Sequence, residues 1–189
     1  MAALERGDLS DVTIAKPMFG TTLTQYCAWG ESWGLEELKR RHQSWLRKGI
    51  RYVGGNSATK DLVAAGVCSL GFTDSDDFFV AVDAGRSLHA VPVRVSGKTI
   101  CIPNSAAVIQ GSRQPDLARR LVEYLCSPEV ELELARSPAR QIPLGAVDPQ
   151  SLPEEVRALR RWADESLELE PLLSMRGRVL EWLRQDYMT

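Results

Sequence analysis

The chain has 189 residues, of which 44% are hydrophobic and 25% charged, with a formal net charge of -2 and a pI of about 5.8. That length gives one domain, or a domain and a half, with a sizeable core. No basic stripe with interleaved aromatics is present, which excludes a nucleic-acid binder, and no apolar run approaches the roughly 20 residues that span a bilayer.

The N-terminal segment, Met-Ala-Ala-Leu-Glu-Arg-Gly-Asp, has no basic region followed by an apolar one, so no signal peptide is expected. Residues 11–16 then read as a strand ending at Pro17. Gly20-Thr21-Thr22 opens a helix running towards Trp33. A second helix over 35–48 carries Leu35, Leu38, His42, Trp45 and Leu46 on one face, and Gly49 closes it. Arg51 to Val53 is a strand, and Gly54-Gly55-Asn56-Ser57 turns it into a helix over 58–65. Val67 to Phe72 is a third strand, and Thr73-Asp74-Ser75-Asp76-Asp77 leads into a helix over 76–84.

His89 to Val95 alternates His89, Val91, Val93 and Val95 on one face, the period of a fourth strand. Gly97-Lys98 reads as a turn. Thr99 to Ile109 is apolar but interrupted by Pro103-Asn104-Ser105. The remainder is mostly helical. Residues 115–126 place Leu117, Leu121, Tyr124 and Leu125 on one side. Ser127-Pro128-Glu129 starts a helix, with a capping serine ahead of a first-turn proline. Ser151 with Glu154 fits a capping box for another. A last helix over 168–186 groups Leu172, Val179, Leu180 and Leu183. Residues 142–153 form the best linker candidate. This order calls for an α/β fold with a mostly parallel sheet flanked by helices, plus C-terminal helices.

The cysteines, Cys27, Cys68, Cys101 and Cys126, have neither C-x-x-C nor zinc spacing. They read as buried free thiols. The competing reading, one disulfide, requires export.

Open α/β sheets bind ligands beyond the carboxyl ends of their strands. Three strands end in small polar segments that begin helices: Phe19-Gly20-Thr21-Thr22, Gly54-Gly55-Asn56-Ser57 and Thr73-Asp74-Ser75-Asp76-Asp77. The first two offer backbone N–H groups at helix starts, which attract an anion. The bland account makes Thr21, Thr22, Asn56 and Ser57 helix caps. The acidic loop would bind a cation or a ligand amine, or orient its neighbours. The bland account places its aspartates favourably in a first helical turn. Asp74-x-Asp76 after an apolar strand also resembles an aspartate-nucleophile phosphatase weakly, with Asp74 as nucleophile and Asp76 as acid/base. His42 and His89 read as structural, so no Ser/His/Asp or Cys/His constellation forms.

Residues 14–24, Gly55-Asn56-Ser57-Ala58 with 60–66, 71–77, Ile102-Pro103-Asn104-Ser105-Ala106, 119–136 and Gln141-Ile142-Pro143-Leu144 together resemble ferric-iron-type periplasmic solute-binding proteins of ABC transporters. The resemblance covers roughly residues 11–145. It implies a type II periplasmic-binding-protein-like fold, with two α/β lobes around a hinged cleft. Residues 11–95 would be the second, ligand-gripping lobe, 96–145 a return segment towards an incomplete first lobe, and 146–189 C-terminal helices. Because family members begin with a signal peptide and the first part of the other lobe, the chain reads as a truncated form. Uncovered surfaces would then favour homo-oligomers.

The expected function is non-catalytic solute binding in the interlobe cleft, with an ABC permease as partner and a periplasmic location; without a leader the alternative location is cytoplasmic. The cargo would be ferric iron or a small anion, and no other cofactor is implied. The expected contacts are Gly20, Thr21, Thr22, Asn56, Ser57, Thr73, Asp74 and Asp76. Iron-binding relatives use adjacent tyrosines, whereas Tyr26, Tyr52, Tyr124 and Tyr187 are scattered. The alternatives are the phosphohydrolase and a non-binding interaction fragment.

Overall fold

A computed structural model describes residues 2–188, with side chains from 3 to 186. Three short strands form its sheet: β1 (Val12–Ala15), β2 (Arg51–Val53) and β3 (Leu70–Phe72). Their order is β2-β1-β3 and both pairings are parallel, with Ile14 opposite Tyr52 on one side and Phe72 on the other. Between β1 and β2 the chain makes α1 (Gly20–Trp33) and α2 (Leu35–Arg47), and between β2 and β3 it makes α3 (Asn56–Ala64). Then come α4 (Ser75–Asp83), α5 (Pro115–Leu125), α6 (Pro128–Arg136), α7 (Glu154–Asp164) and α8 (Leu172–Met188). The molecule is therefore mixed α/β, and helix starts and stops largely follow the sequence signals.

Every residue of β1 is buried. A central parallel strand covered on both faces has no solvent side, so it reads as a near-continuous apolar run rather than an alternation. On one face Val12 and Ile14 join Leu23, Tyr26, Trp29, Leu38 and Trp45, and α8 closes this core with Leu172, Met175, Val179, Trp182 and Leu183. On the other face α3 lies so close that a Cβ on Gly71 would stand 2.8 Å from methyl groups of Thr59 and Val63. Glycine at 71 is what lets this helix approach the sheet.

Several expectations are corrected. The strand expected from His89 to Val95 is only β4 (Arg94–Val95), paired antiparallel with β5 (Lys98–Thr99) apart from the main sheet. Pro92 has no N–H to give a ladder, and Val91 and His89 are exposed rather than on a packed face. Ser96 and Gly97 have φ of 51° and 83°, which gives this ribbon its tight two-residue turn. The third strand begins at Leu70, because Val67 and Cys68 still bond back to the Leu62 carbonyl at the end of α3. Ser151 caps no helix: it lies in a 3-10 turn whose cap is Asp148, and Pro153 precedes α7. Ser127 does cap α6, accepting from the Val130 N–H at 3.4 Å.

Cys27 and Cys68 are buried, but Cys101 is half-buried and Cys126 exposed. The α5 stripe of Leu117, Leu121, Tyr124 and Leu125 forms as expected yet faces solvent, as does Leu46 of α2. A small second core holds Ala135, Val147, Leu152 and Val156. No helix among the described residues is long and apolar enough to cross a membrane.

Candidate functional site

Parallel pairing puts the carboxyl ends of all three strands on one edge, and with them the starts of α1, α3 and α4. The residues before α1 and α3 are Phe19 and Gly55, and neither makes a side-chain capping bond. The polar side chains at these starts therefore do something other than cap. Asn56, at the first position of α3, donates through Nδ2 to Thr21 Oγ1 at 2.8 Å and to Asp74 Oδ2 at 2.6 Å. One amide thus ties together the ends of three strands.

Asp74 precedes α4 but likewise makes no capping bond, because its carboxylate is turned to Asn56. Burial pushes its carboxyl above the ordinary aspartate range, hydrogen bonds from Thr21 and Asn56 pull it down, and Asp76 and Asp77 push it up. Around this centre lies a second layer. Ser57 Oγ donates to Asp77 Oδ1 at 2.8 Å. Thr73 Oγ1 reaches the Asn56 carbonyl at 3.1 Å and Asp77 Oδ2 at 3.3 Å. Asp76 Oδ1 accepts the Asp77 N–H at 2.9 Å. One carboxylate oxygen from each of Asp74, Asp76 and Asp77 lies within 4.8 Å of the others.

Six of the eight expected contacts, Thr21, Asn56, Ser57, Thr73, Asp74 and Asp76, converge here. Thr22 does not: it is 4% exposed, on the core side of α1. Gly20 begins α1 with φ of 62° and adds no side chain. Asp77 was missing from the expected set; its signal was its place beside Asp76 in the same first turn. The side chains of Asn56 and Thr21 both hydrogen-bond the carboxylate of Asp74. The clustered oxygens of Asp74, Asp76 and Asp77 are of the type that suits hard cations and ammonium groups, and they share the edge with the backbone N–H groups at the starts of α1 and α3.

His42 is a core histidine, as its helix face indicates. Its Nδ1 lies 2.9 Å from the Tyr26 hydroxyl and 3.0 Å from that of Tyr52, and the two hydroxyls are 2.6 Å apart. Residues far apart in sequence thus meet between α1, α2 and β2. Trp182 stands edge-on to the ring. Burial lowers the His42 pKa to about 4, against a smaller opposing pull from Asp186. Tyr124 is exposed on α5, and the side chain of Tyr187 lies outside those described.

A scan against protein-family models finds no match for this chain, and a search of curated proteins finds none either.

Proposed function

We propose that this chain is the ligand-gripping lobe of a solute-binding protein serving an ABC uptake system, and that it holds a small, positively charged solute at the Thr21–Asn56–Asp74 edge. Ferric iron is one such cargo; a protonated amine is another. The observation that carries the reading is the bridging Asn56 amide. It orients Asp74 from a half-buried position at the carboxyl edge of a parallel sheet, where open α/β folds bind ligands. Asp76 and Asp77 supply further oxygens, and Thr21, Ser57 and Thr73 fix the geometry. A polar site preorganised in this way loses little entropy on binding. In the two-lobed arrangement that the sequence resembles, hinge closure over this edge would trap the cargo for a permease.

The test is a thermal-shift and calorimetric series with ferric citrate, magnesium, calcium and spermidine, set against phosphate and simple carboxylates. At a hundredfold excess over Kd, a cationic ligand is expected to raise Tm by about 5–10 °C. The shift should vanish in Asp74→Asn, while phosphate produces none. Silence from every cation, or a phosphate response that survives Asp74→Asn, overturns the reading. Magnesium-dependent phosphate release from an aryl phosphate, abolished by Asp74→Asn, would favour the phosphohydrolase instead.

A further inference from the structure

Rings in the main core form a continuous file from the surface to a buried hydroxyl. Trp33, half-buried at the end of α1, stacks on Trp29 with centroids 5.6 Å apart and planes 11° apart. Trp29, fully buried, lies 5.3 Å from Tyr26. The Tyr26 hydroxyl stands 2.9 Å from His42 Nδ1 and 2.6 Å from the Tyr52 hydroxyl.

These rings differ in what they can do with a proton. Trp29 Nε1 has no hydrogen-bond partner among the described residues. A positive charge left on Trp29 would therefore stay there, in an apolar core where an unpaired charge is costly. Tyr26 has a base in reach. With its proton on Nε2, the neutral imidazole of His42 accepts at Nδ1. The two shorter contacts then form a relay in which Tyr52 donates to Tyr26 and Tyr26 donates to His42. Asp186 favours the imidazolium that a transferred proton creates, against the burial that keeps the resting ring neutral.

We propose that Tyr26 is a one-electron redox site, reached from solvent through Trp33 and Trp29 and served by His42 as proton acceptor. A small radical oxidant at Trp33 takes one electron and leaves an indole radical cation. An electron then passes from Trp29 to Trp33 and another from Tyr26 to Trp29, which restores both indoles. As Tyr26 loses its electron, its hydroxyl proton crosses to His42 Nδ1. The products are a neutral phenoxyl radical, an imidazolium and the reduced oxidant. Core packing needs only the rings, whereas this route needs the Tyr26 hydroxyl and the Nδ1 lone pair. It is independent of the solute site.

The experiment is pulse radiolysis of the full chain with azidyl radical, which takes electrons from indoles faster than from phenols. The indole-radical absorption should decay as a phenoxyl absorption grows in, at a first-order rate independent of protein concentration. Tyr26→Phe keeps the ring and removes only the hydroxyl. It should slow the conversion about tenfold, with Tyr52, 3.0 Å from Nδ1, left as the slower acceptor. His42→Gln should slow it roughly a hundredfold, the low end of what a positioned base contributes. Trp33→Phe should lower the phenoxyl yield. Circular dichroism reads the fold of each variant, and Tyr26→Phe carries the test if His42→Gln unfolds. Absence of conversion, a rate that scales with protein concentration, a rate unchanged in Tyr26→Phe or in folded His42→Gln, or a yield unchanged in Trp33→Phe would each overturn the proposal.

Discussion

Helix α1, buried nearly all round, and helix α5, with a one-sided apolar stripe, meet opposite fates. On α1, eight residues from Thr22 to Gly30 are buried among the sheet, α2 and α8. On α5 none is. Hydrophobic pattern says that the α1 segment must be enclosed and that the α5 stripe is most stable when covered. It does not say by what. The covering of α1 comes from α8, about 140 residues further along the chain. Nothing within the described residues plays that part for α5, so its stripe remains available.

Mutations can break or sharpen this contrast. The largest effect should come from Trp29→Ala, which empties a fully buried site packed against Tyr26, Trp33 and Trp45. A loss of about 3–5 kcal/mol is expected in urea unfolding. Leu117→Ala on α5 should stay within about 0.5 kcal/mol for the monomer. A comparable loss at both positions would erase the distinction.

The same core should make stability depend on pH through His42. Its folded pKa of about 4 lies below its ordinary value of 6.5, so the unfolded chain takes up the proton first. The neutral-state advantage is complete above 6.5, drains away as pH falls, and is spent below about 4. This amounts to about 3 kcal/mol. Unfolding series at closely spaced pH should show the slope, and His42→Gln should flatten it. Asp74, with its raised pKa, acts in the opposite sense: its contribution is present at low pH and falls as pH rises through its folded value.

Smaller effects separate the two faces of the sheet. Gly71→Ala sets a methyl against Thr59 and Val63 and should cost about 1–3 kcal/mol. Asn56→Ala removes a bond that lowers the Asp74 pKa, so the Asp74 titration should move further up, as NMR can follow. An unmoved titration would mean that the amide does not act on that carboxylate.

Much of the site was legible in the sequence. Glycine, hydroxyl and carboxylate clusters at strand ends announced three loops, and the β-α-β order put them on one edge. The details were less accessible. That Asn56 spends its amide on Thr21 and Asp74 depends on the distance between loops 18 and 35 residues apart. The expected strand at His89 failed for a related reason. Alternation signals a strand only where a neighbouring strand accepts its ladder, and Pro92 interrupts that ladder.

By itself the sequence determined the local elements: helices at the 3.6-residue period, their glycine stops, the buried β1 run and the serine cap of α6. These depend on residues within a few positions of each other. Tertiary structure alone decided which amphipathic face is covered, where Tyr26, Tyr52 and His42 meet, and which partners Asn56 and Asp74 find at the strand ends. Those outcomes rest on contacts between distant segments, where a shift of an ångström or two decides whether a polar group meets a partner, a charge or water.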